Sequence, residues 1–214
     1  MVQEQYKLSD GSALHLTVSR YFTPSGRCIQ RDYSDSENYE DDFESRFESG
    51  ELQDPSKIKL ADTTEYFTAG GRIVYGGGGI SPDIFVPLDT FLFSTYYLQM
   101  RQQITPFVFR YFETNKEVLK EWVKESAFIE NYKVSDELFD EFLAYAGTKE
   151  ALSKQNEKIL AQTSNDLRRW LKGRIGKHLF NQATFHKITN QQSSEVVEAL
   201  NWINSDKKVV ELMK

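Results

Sequence analysis

The chain has 214 residues, enough for one large domain or two small ones. Its hydrophobic fraction of 39% is typical of a globular protein rather than a disordered one, and its net charge of −6 gives no global attraction to nucleic acid or to an anionic membrane. The longest uncharged apolar stretch, residues 90–100, is about half as long as a membrane-spanning helix requires, so we expect no membrane contact.

The first predicted elements are two strands of a β-hairpin. Residues 2–8 (VQEQYKL) and 13–22 (ALHLTVSRYF) have strand character, because apolar and polar residues alternate from position 14 to 19. The linking residues 9–12 (SDGS) are typical of a tight turn, since Asp and Gly tolerate positive φ. Residues 23–26 (TPSG) end the second strand at another turn.

Residues 31–62 are predicted to form an acidic insertion. Ten residues between positions 32 and 54 are Asp or Glu, and only Arg46 is basic. Such a composition favours a solvated or flexible surface segment. The alternative is a docking segment for a basic partner or a cation, although the spacing of a calcium-binding loop is absent.

A second hairpin is predicted at residues 65–75 (EYFTAGGRIVY), with Gly70-Gly71 at its turn. Four consecutive glycines follow at 76–79, and then a short predicted strand at 84–86 between two prolines. The glycines match neither a phosphate-binding loop, which needs Lys and Ser or Thr before a helix, nor a dinucleotide-binding fingerprint, which also opens a helix. We therefore expect them to allow close approach between two packed backbone segments.

From about residue 89 the pattern becomes helical. Ser135 is the predicted N-cap of a helix that ends at Gly147. A long helix is predicted near residues 155–182, from apolar residues close to i, i+4 and i+7 spacing. Two further helices are predicted to begin near Ser193 and near Ser205.

Together these elements predict an α+β fold in two parts. Residues 1–90 form a β-hairpin-rich N-terminal part, and residues 91–214 form an α-helical C-terminal domain. Charge divides in a similar way, since residues 149–214 carry 12 Lys or Arg and 7 Asp or Glu, a local charge of +5.

The residues with chemical potential do not form a complete active site. The common nucleophile-elbow and zinc-binding motifs are absent from the sequence, and the single cysteine, Cys28, cannot form an internal disulfide. His178 and His186 could share a helix face, but a metal pair needs closer spacing or more ligands, so we expect no metal and no cofactor. Five basic residues around Trp170 could contact nucleic acid, but a solvated helix face explains them, and the acidic whole argues against that role. They are Arg168, Arg169, Lys172, Arg174 and Lys177.

Two separate segments closely resemble motifs of the C-terminal processing proteases, also called tail-specific proteases. In that family one strand reads approximately L-x-x-x-R-Y-x-T-P-x-G-R-x-I-Q, and a later segment reads G-I-x-P-D-I. The likeness covers about residues 2–30 and 65–90, and it is nearest to the bacterial branch in which a helical extension follows the protease core. The matching residues are Leu16, Arg20, Tyr21, Thr23, Pro24, Gly26, Arg27, Ile29 and Gln30 in the strand, and Gly79, Ile80, Pro82, Asp83 and Ile84 in the segment.

The resemblance implies a serine endopeptidase with a Ser–Lys pair, which cleaves protein or peptide substrates near their C-termini through an acyl-enzyme. It assigns the glutamine that orients the lysine to Gln3, and it places the lysine just ahead of Met1 and the serine further upstream. The chain is then expected to be the C-terminal portion of such an enzyme. It is expected to be inactive alone, because a serine becomes nucleophilic only beside a positioned, unprotonated base.

The same resemblance implies a periplasmic or envelope-anchored location. An alternative is that the helical part is a non-catalytic interaction or oligomerisation module, and a non-proteolytic relative of the family is a third hypothesis. We also expect a truncated sheet to expose unpaired edges and apolar area, which favours a homo-oligomer formed through the sheet edge or the helices.

Overall fold

The chain has the predicted α+β fold, in which antiparallel hairpins precede a series of helices. The computed structural model describes residues 2–30, 41–59, 62–115, 119, 121–147 and 153–205. These residues divide into two compact units, a hairpin unit of residues 2–88 with 202–205 and a helical unit of residues 89–201. The domain ranges 1–90 and 91–214 remain predictions.

The first hairpin pairs β1 (Val2–Lys7) with β2 (Ala13–Ser19) in antiparallel register, which confirms the first two strands. The Asp10 side chain accepts hydrogen bonds from the Ser12 amide at 2.9 Å and from its hydroxyl at 2.6 Å, and Gly11 takes the positive φ of 87° that the turn requires. The second strand ends three residues earlier than predicted, where the chain turns into the 23–26 segment.

The acidic segment contains local structure in its described part. Helix α1 (Asp42–Glu48) is followed by a 3-10 turn at Pro55–Lys57. Arg46 Nε donates to Glu51 Oε1 at 2.9 Å, and Glu51 is only 8% exposed. The prediction of a flexible segment over 31–40 and 60–61 lies outside the described residues.

The second hairpin is also confirmed, with β3 (Glu65–Phe67) paired to β4 (Ile73–Tyr75) around Gly71. The strand predicted at 84–86 is wrong, since those residues join no ladder in the described structure. Pro87, which follows the segment, has no amide hydrogen to donate to a ladder. Asp83 precedes the segment, and its Oδ1 accepts a hydrogen bond from Arg72 Nη1 at 2.7 Å.

Serine and asparagine caps define several of the helix starts. The side chains of Ser94, Ser135, Ser153 and Asn181 each accept a backbone N–H of the first turn that follows. The predicted cap at Ser135 is therefore confirmed, and Gly147 has a φ of +89° just after that helix. The helices are α2 (Thr95–Thr114), α3 (Glu125–Asn131), α4 (Asp136–Tyr145), α5 (Lys154–Leu179), α6 (Gln182–Asn190) and α7 (Ser194–Asn204), and a 3-10 turn (Thr90–Phe93) precedes α2.

The long helix and the helix near Ser193 are confirmed as α5 and α7. The helix predicted to begin near Ser205 falls on residues outside the described part of the chain. No helix in the described ranges is both long and apolar enough to cross a membrane.

The described apolar core lies entirely within the helical unit. Leu167, Leu171 and Ile175 follow one another at i, i+4 and i+8 along α5 and are fully buried against α2 and α6. Phe128 from α3 is also fully buried, and its ring stacks on Tyr132 with 4.6 Å between centroids. The hairpin unit, by contrast, has no buried apolar side chain among its described residues.

A polar network lies between α2 and α5 in the same core. The Tyr97 hydroxyl and the Arg169 guanidinium both donate to the carboxylate of Asp166. Tyr97 is 1% exposed and Asp166 is 9% exposed. Nearby, the guanidinium of Arg101 lies 3.4 Å from the ring centroid of Trp170 and makes a cation–π interaction with it.

Buried tyrosines make the stability of the helical unit sensitive to alkali. Burial raises the pKa of Tyr97, with a further contribution from its hydrogen bond to Asp166, and burial also raises the pKa of Tyr132. An unfolded tyrosine ionises near pH 10, so above about pH 10 the unfolded state releases protons that the folded state retains. We expect the contribution of these tyrosines to the free energy of unfolding to be constant below about pH 10 and to be lost as pH rises further.

Urea unfolding at increasing pH, with phenolate absorbance as a second signal, measures this dependence. Tyr132→Phe should reduce the alkaline loss, whereas Tyr21→Phe, at a side chain that is 65% exposed, should leave it unchanged. Equal pH profiles for all three proteins would contradict the assignment.

Candidate functional site

The two segments that carry the protease resemblance lie side by side in the hairpin unit. The Gly77 amide donates to the Cys28 carbonyl at 3.2 Å, and the Gly79 amide donates to the Ile29 carbonyl at 2.9 Å. Arg27 Nη1 also donates to the Tyr75 carbonyl at 3.2 Å, across a separation of 48 residues. The backbone of the glycine run is therefore hydrogen-bonded to the end of the R-Y-x-T-P-x-G-R-x-I-Q motif, which lies beyond β2.

Glycine is required for steric reasons at position 77, and position 76 is tightly packed. Gly77 has a φ of +76°, and a Cβ atom there would lie 2.5 Å from Asp62 Cβ. At Gly76 a Cβ atom would lie 3.1 Å from Asp62 Oδ2 and 3.2 Å from Tyr66 Cε2. The predicted close backbone approach is thus confirmed, and Asp62 is the neighbour that closes the space.

Gly77→Ala should open this pairing. Alanine at positive φ is strained, and its Cβ would also overlap Asp62, so we expect the Cys28 thiol to react with a thiol reagent about tenfold faster or more. Gly71→Ala is the matched control, because Gly71 has a similar φ of +79°, lies outside this pairing and has no atom within 4 Å of the Cβ position, so that variant should react at the rate of the parent chain. The idea fails if both variants react at the rate of the parent chain.

Other residues of the two motifs have structural roles in the same unit. The Thr23 amide donates to the Arg27 carbonyl at 2.9 Å, and Gly26 takes a φ of +80° in that turn. Asp83 forms an exposed ion pair with Arg72 at 2.7 Å. These contacts give Gly26 and Asp83 structural roles through the positive φ and the ion pair, whereas the backbone hydrogen bond does not depend on the side chains at positions 23 and 27.

A cavity of about 320 Å³ adjoins the glycine run. Its walls include bare glycine backbone and the Arg46–Glu51 ion pair. Ser81 and Lys59 also line it, but both residues are exposed and no hydrogen bond joins them among the described residues. The cavity therefore does not hold a preformed serine–lysine pair.

Gln3, the residue that the resemblance assigns to the catalytic machinery, lies on β1. It pairs with Thr17 beside a register irregularity between Val2 and Gln3, and it is exposed to solvent. Among the described residues, neither a lysine nor a serine is hydrogen-bonded to Gln3. This part of the chain therefore contains no lysine for Gln3 to orient.

One face of the first hairpin is apolar and uncovered. Cross-strand pairing sets Tyr6 opposite Leu14 and Glu4 opposite Leu16, and residues that are directly opposite share a face. The apolar members of that face are each 45–50% exposed, and they are Tyr6, Leu14, Leu16 and Val18. Sequence alternation predicted this face correctly, and the structure shows that its apolar side chains remain about half exposed among the described residues.

The basic residues around Trp170 mostly bind within the helical unit. Arg168 donates to the Val134 and Ser135 carbonyls at 3.0 Å and to the Asp136 carboxylate at 2.7 Å. Lys172 Nζ donates to the Ile129 carbonyl at 2.6 Å, and burial lowers the pKa of that lysine. Together with Arg169, which binds Asp166, these residues tether neighbouring helices and do not form a free cationic surface.

His178 and His186 do not share a helix face. His178 lies near the end of α5, whereas His186 belongs to α6, which begins after the Asn181 cap. The His178 ring packs against Phe112, with 4.1 Å between centroids, and His186 contacts Gln182 at 3.0 Å. Within the described ranges no group of three or more His, Cys, Asp or Glu side chains is arranged to hold a metal ion.

A second cavity, of about 280 Å³, lies between α2 and α5 in the helical unit. Sequence analysis missed it, although both walls have a readable signal in their i, i+3, i+4 spacing. One wall is Thr105, Val108 and Phe109, and the other is Arg174, Lys177 and His178. We refer to these six residues as the α2–α5 cleft.

The profile of a family of unknown function (DUF8443) matches residues 95–181, a range within the helical unit. Neither a curated protein nor a solved structure matches the chain. The matched range begins with α2 and extends just past α5, so it includes all six residues of the α2–α5 cleft.

Proposed function

We propose that the hairpin unit is the C-terminal portion of a serine endopeptidase core of the C-terminal processing, Ser–Lys type. The observation that carries the proposal is the pairing of Gly77 and Gly79 with Cys28 and Ile29. The two motifs are distant in the sequence, and their presence in one chain is explained if they contact each other in the fold. This pairing, with Arg27 bound to the Tyr75 carbonyl, is that contact.

The uncovered hairpin face also supports a place in a larger sheet. Isolated two-stranded hairpins are marginally stable in water, and this unit buries no apolar side chain among its described residues. A face that alternates as regularly as Leu14, Leu16 and Val18 is typical of a strand packed on a core. The missing cover is proposed to be the rest of the protease core.

Within that proposal the chain contributes an orienting residue. The amide oxygen of Gln3 accepts a hydrogen bond from the lysine amine and directs its lone pair toward the serine hydroxyl, which then attacks a peptide carbonyl. The nucleophile and the base come from residues other than those of this chain. The proposed substrates are proteins or peptides, and the proposed location is periplasmic or envelope-anchored.

Fluorophosphonate labelling tests the assignment. We expect the longest protein encoded by the natural gene to be labelled at a serine outside this sequence, and the 214-residue chain to remain unlabelled. In the longer protein, Gln3→Ala should slow labelling by about tenfold or more, since positioned proton transfer contributes about two to four orders of magnitude. Gln5→Ala is the control, because Gln5 is equally exposed on β1.

Labelling of the 214-residue chain at one of its own serines, such as Ser81, which lines the same cavity as Lys59, would overturn the proposal. Absence of labelling in the longer protein would also overturn it.

A second candidate is a helical module that associates with another copy of itself. Within the helical unit, helix α7 exposes Val197 and Leu200 at i and i+3, with exposed fractions of 39% and 51%. Such an apolar stripe is typical of a helix that packs on a partner. The proposed occupant is the α7 stripe of a second chain.

Sedimentation velocity on the chain distinguishes the surfaces that could cause association. If α7 mediates it, Leu200→Glu yields monomer, whereas Ala199→Glu, at an exposed neighbouring position, does not. If the uncovered hairpin face mediates it, Leu16→Glu yields monomer instead. A parent chain that is monomeric at high concentration rejects both surfaces.

A further inference from the structure

The α2–α5 cleft combines cations with an apolar wall. The i, i+3, i+4 spacing of Arg174, Lys177 and His178 brings all three to one face of α5, opposite the equally spaced residues of α2. Its volume of about 280 Å³ is just below the usual range for small-molecule pockets, so it would suit a small ligand. The lining contains no Asp or Glu.

The two strongest cations of the cleft lack the anionic partners that other cations of the helical unit have. Arg168, Arg169 and Lys187 each bind a carboxylate. Arg174 instead lies 5.0 Å from the ring centroid of Phe185, and no carboxylate in the described part of the chain pairs with Arg174 or Lys177. Their positive charge is therefore available to a ligand.

The opposite wall supplies an exposed aromatic surface. Phe109 is 56% exposed beside the cations, and its ring meets the His178 ring edge-on at 5.5 Å between centroids. Val108 is buried at the base, and Thr105 adds a hydroxyl that can donate a hydrogen bond. A ligand that satisfies this cleft needs an anionic end and an apolar end.

We propose that the α2–α5 cleft binds a small organic anion, a carboxylate joined to an apolar group. The carboxylate lies against Arg174 and Lys177, and the apolar group lies on Phe109 and Val108. The proposal does not depend on the protease assignment, because all six residues belong to the helical unit.

The simplest competing explanation is that basic residues stabilise the C-terminal end of α5. Lys177 and His178 lie in its last turn, where the helix dipole favours cations. That explanation accounts for neither Arg174 nor the exposed Phe109. It also predicts that charge removal lowers stability without any effect on a ligand.

The ligand could be a free carboxylic acid or the carboxyl end of a peptide, and binding of matched probes to the full chain distinguishes the two. Octanoate represents a free carboxylic acid, and N-acetyl-Ala-Leu represents the carboxyl end of a peptide. Octanamide and N-acetyl-Ala-Leu-amide are the neutral controls. The three histidines, His15, His178 and His186, give separate imidazole signals in proton NMR and report where a probe binds.

We expect at least one carboxylate to shift the His178 signal in a saturable manner, while His15 and His186 stay constant and the neutral amide binds at least about tenfold more weakly. Arg174→Gln should weaken binding of that carboxylate by about tenfold, and Lys177→Gln by about threefold. Lys154→Gln is the control, since Lys154 is an exposed residue at the other end of α5.

Phe109→Ala should weaken the binding of the carboxylate and of its amide by the same factor, because it removes the apolar wall of the cleft. The proposal is overturned if neither carboxylate shifts His178, or if carboxylate and amide bind equally. It is also overturned if Lys177→Gln and Arg174→Gln behave as Lys154→Gln does.

Discussion

Asp166→Ala should lower the free energy of unfolding of the helical unit by about 3–5 kcal/mol, because it leaves a buried guanidinium without its counter-charge. The Arg169 and Asp166 side chains are only 19% and 11% exposed, so water replaces the lost partner poorly. The Tyr97 hydroxyl loses its acceptor at the same time, and Tyr97 is 1% exposed. Arg169 Nε is without a partner among the described residues, and Arg169 Nη1 keeps a long hydrogen bond to the neutral Gln192 Oε1 at 3.4 Å, which does not replace the lost counter-charge.

Urea unfolding of the full chain, followed by tryptophan fluorescence, measures the loss. Asp136→Ala is the matched control, because it removes another Arg–Asp pair of the same unit whose carboxylate is 88% exposed. Such a surface pair contributes little, so we expect no measurable change for that variant. Asp166→Asn should lie between the two, since it keeps an acceptor for Tyr97 and loses the charge. Equal stability of Asp166→Ala and Asp136→Ala would show that the buried network does not stabilise the fold.

Gly176→Val should lower the same free energy by about 3 kcal/mol, because the packed α3–α5–α6 junction has no room for a side chain. A Cβ atom at Gly176 would lie 2.9 Å from Phe128 Cε1, 3.0 Å from Thr184 Cγ2 and 3.1 Å from Ile188 Cδ1. Phe128 and Thr184 are fully buried, so neither can turn toward solvent to relieve the overlap.

A double-mutant cycle identifies the cause of this loss. Ile188→Ala vacates space next to Gly176, so the combined variant should lose less stability than the sum of the two single variants. Ala161→Val is the control for valine on α5, because Ala161 is exposed and only helix propensity changes there. Additive single and combined losses would argue that steric overlap at this junction is not the cause.

Local signals in the sequence were sufficient for the elements themselves. The Asp10-Gly11 turn and the alternation from Leu14 to Val18 predict the first hairpin, since both depend on neighbouring residues only. The Ser135 cap and the i, i+4 spacing of Leu167, Leu171 and Ile175 likewise predict α4 and α5. The prediction of a strand at 84–86 was wrong, because a strand forms only when it pairs with another strand, and residues 84–86 do not by themselves specify a partner.

The sequence motifs suggested which residues belong to the candidate site, whereas the structure showed which of them are in contact. Ordered motifs suggested the protease family and assigned Gln3, and these assignments remain proposals. The pairing of Gly77 with Cys28, by contrast, joins residues 49 apart and requires Asp62 as a neighbour, so only the folded chain could place it.

The α+β order, the turns, the caps and the apolar stripes were thus determined by the sequence itself, because each arises from contacts within a few residues. Tertiary structure alone decided which cations are neutralised and which are free. Arg168, Arg169 and Arg174 look alike along α5, yet the first two bind carboxylates and the third faces the α2–α5 cleft. The physical reason is that desolvation and charge pairing depend on residues that are distant in the chain and close in space.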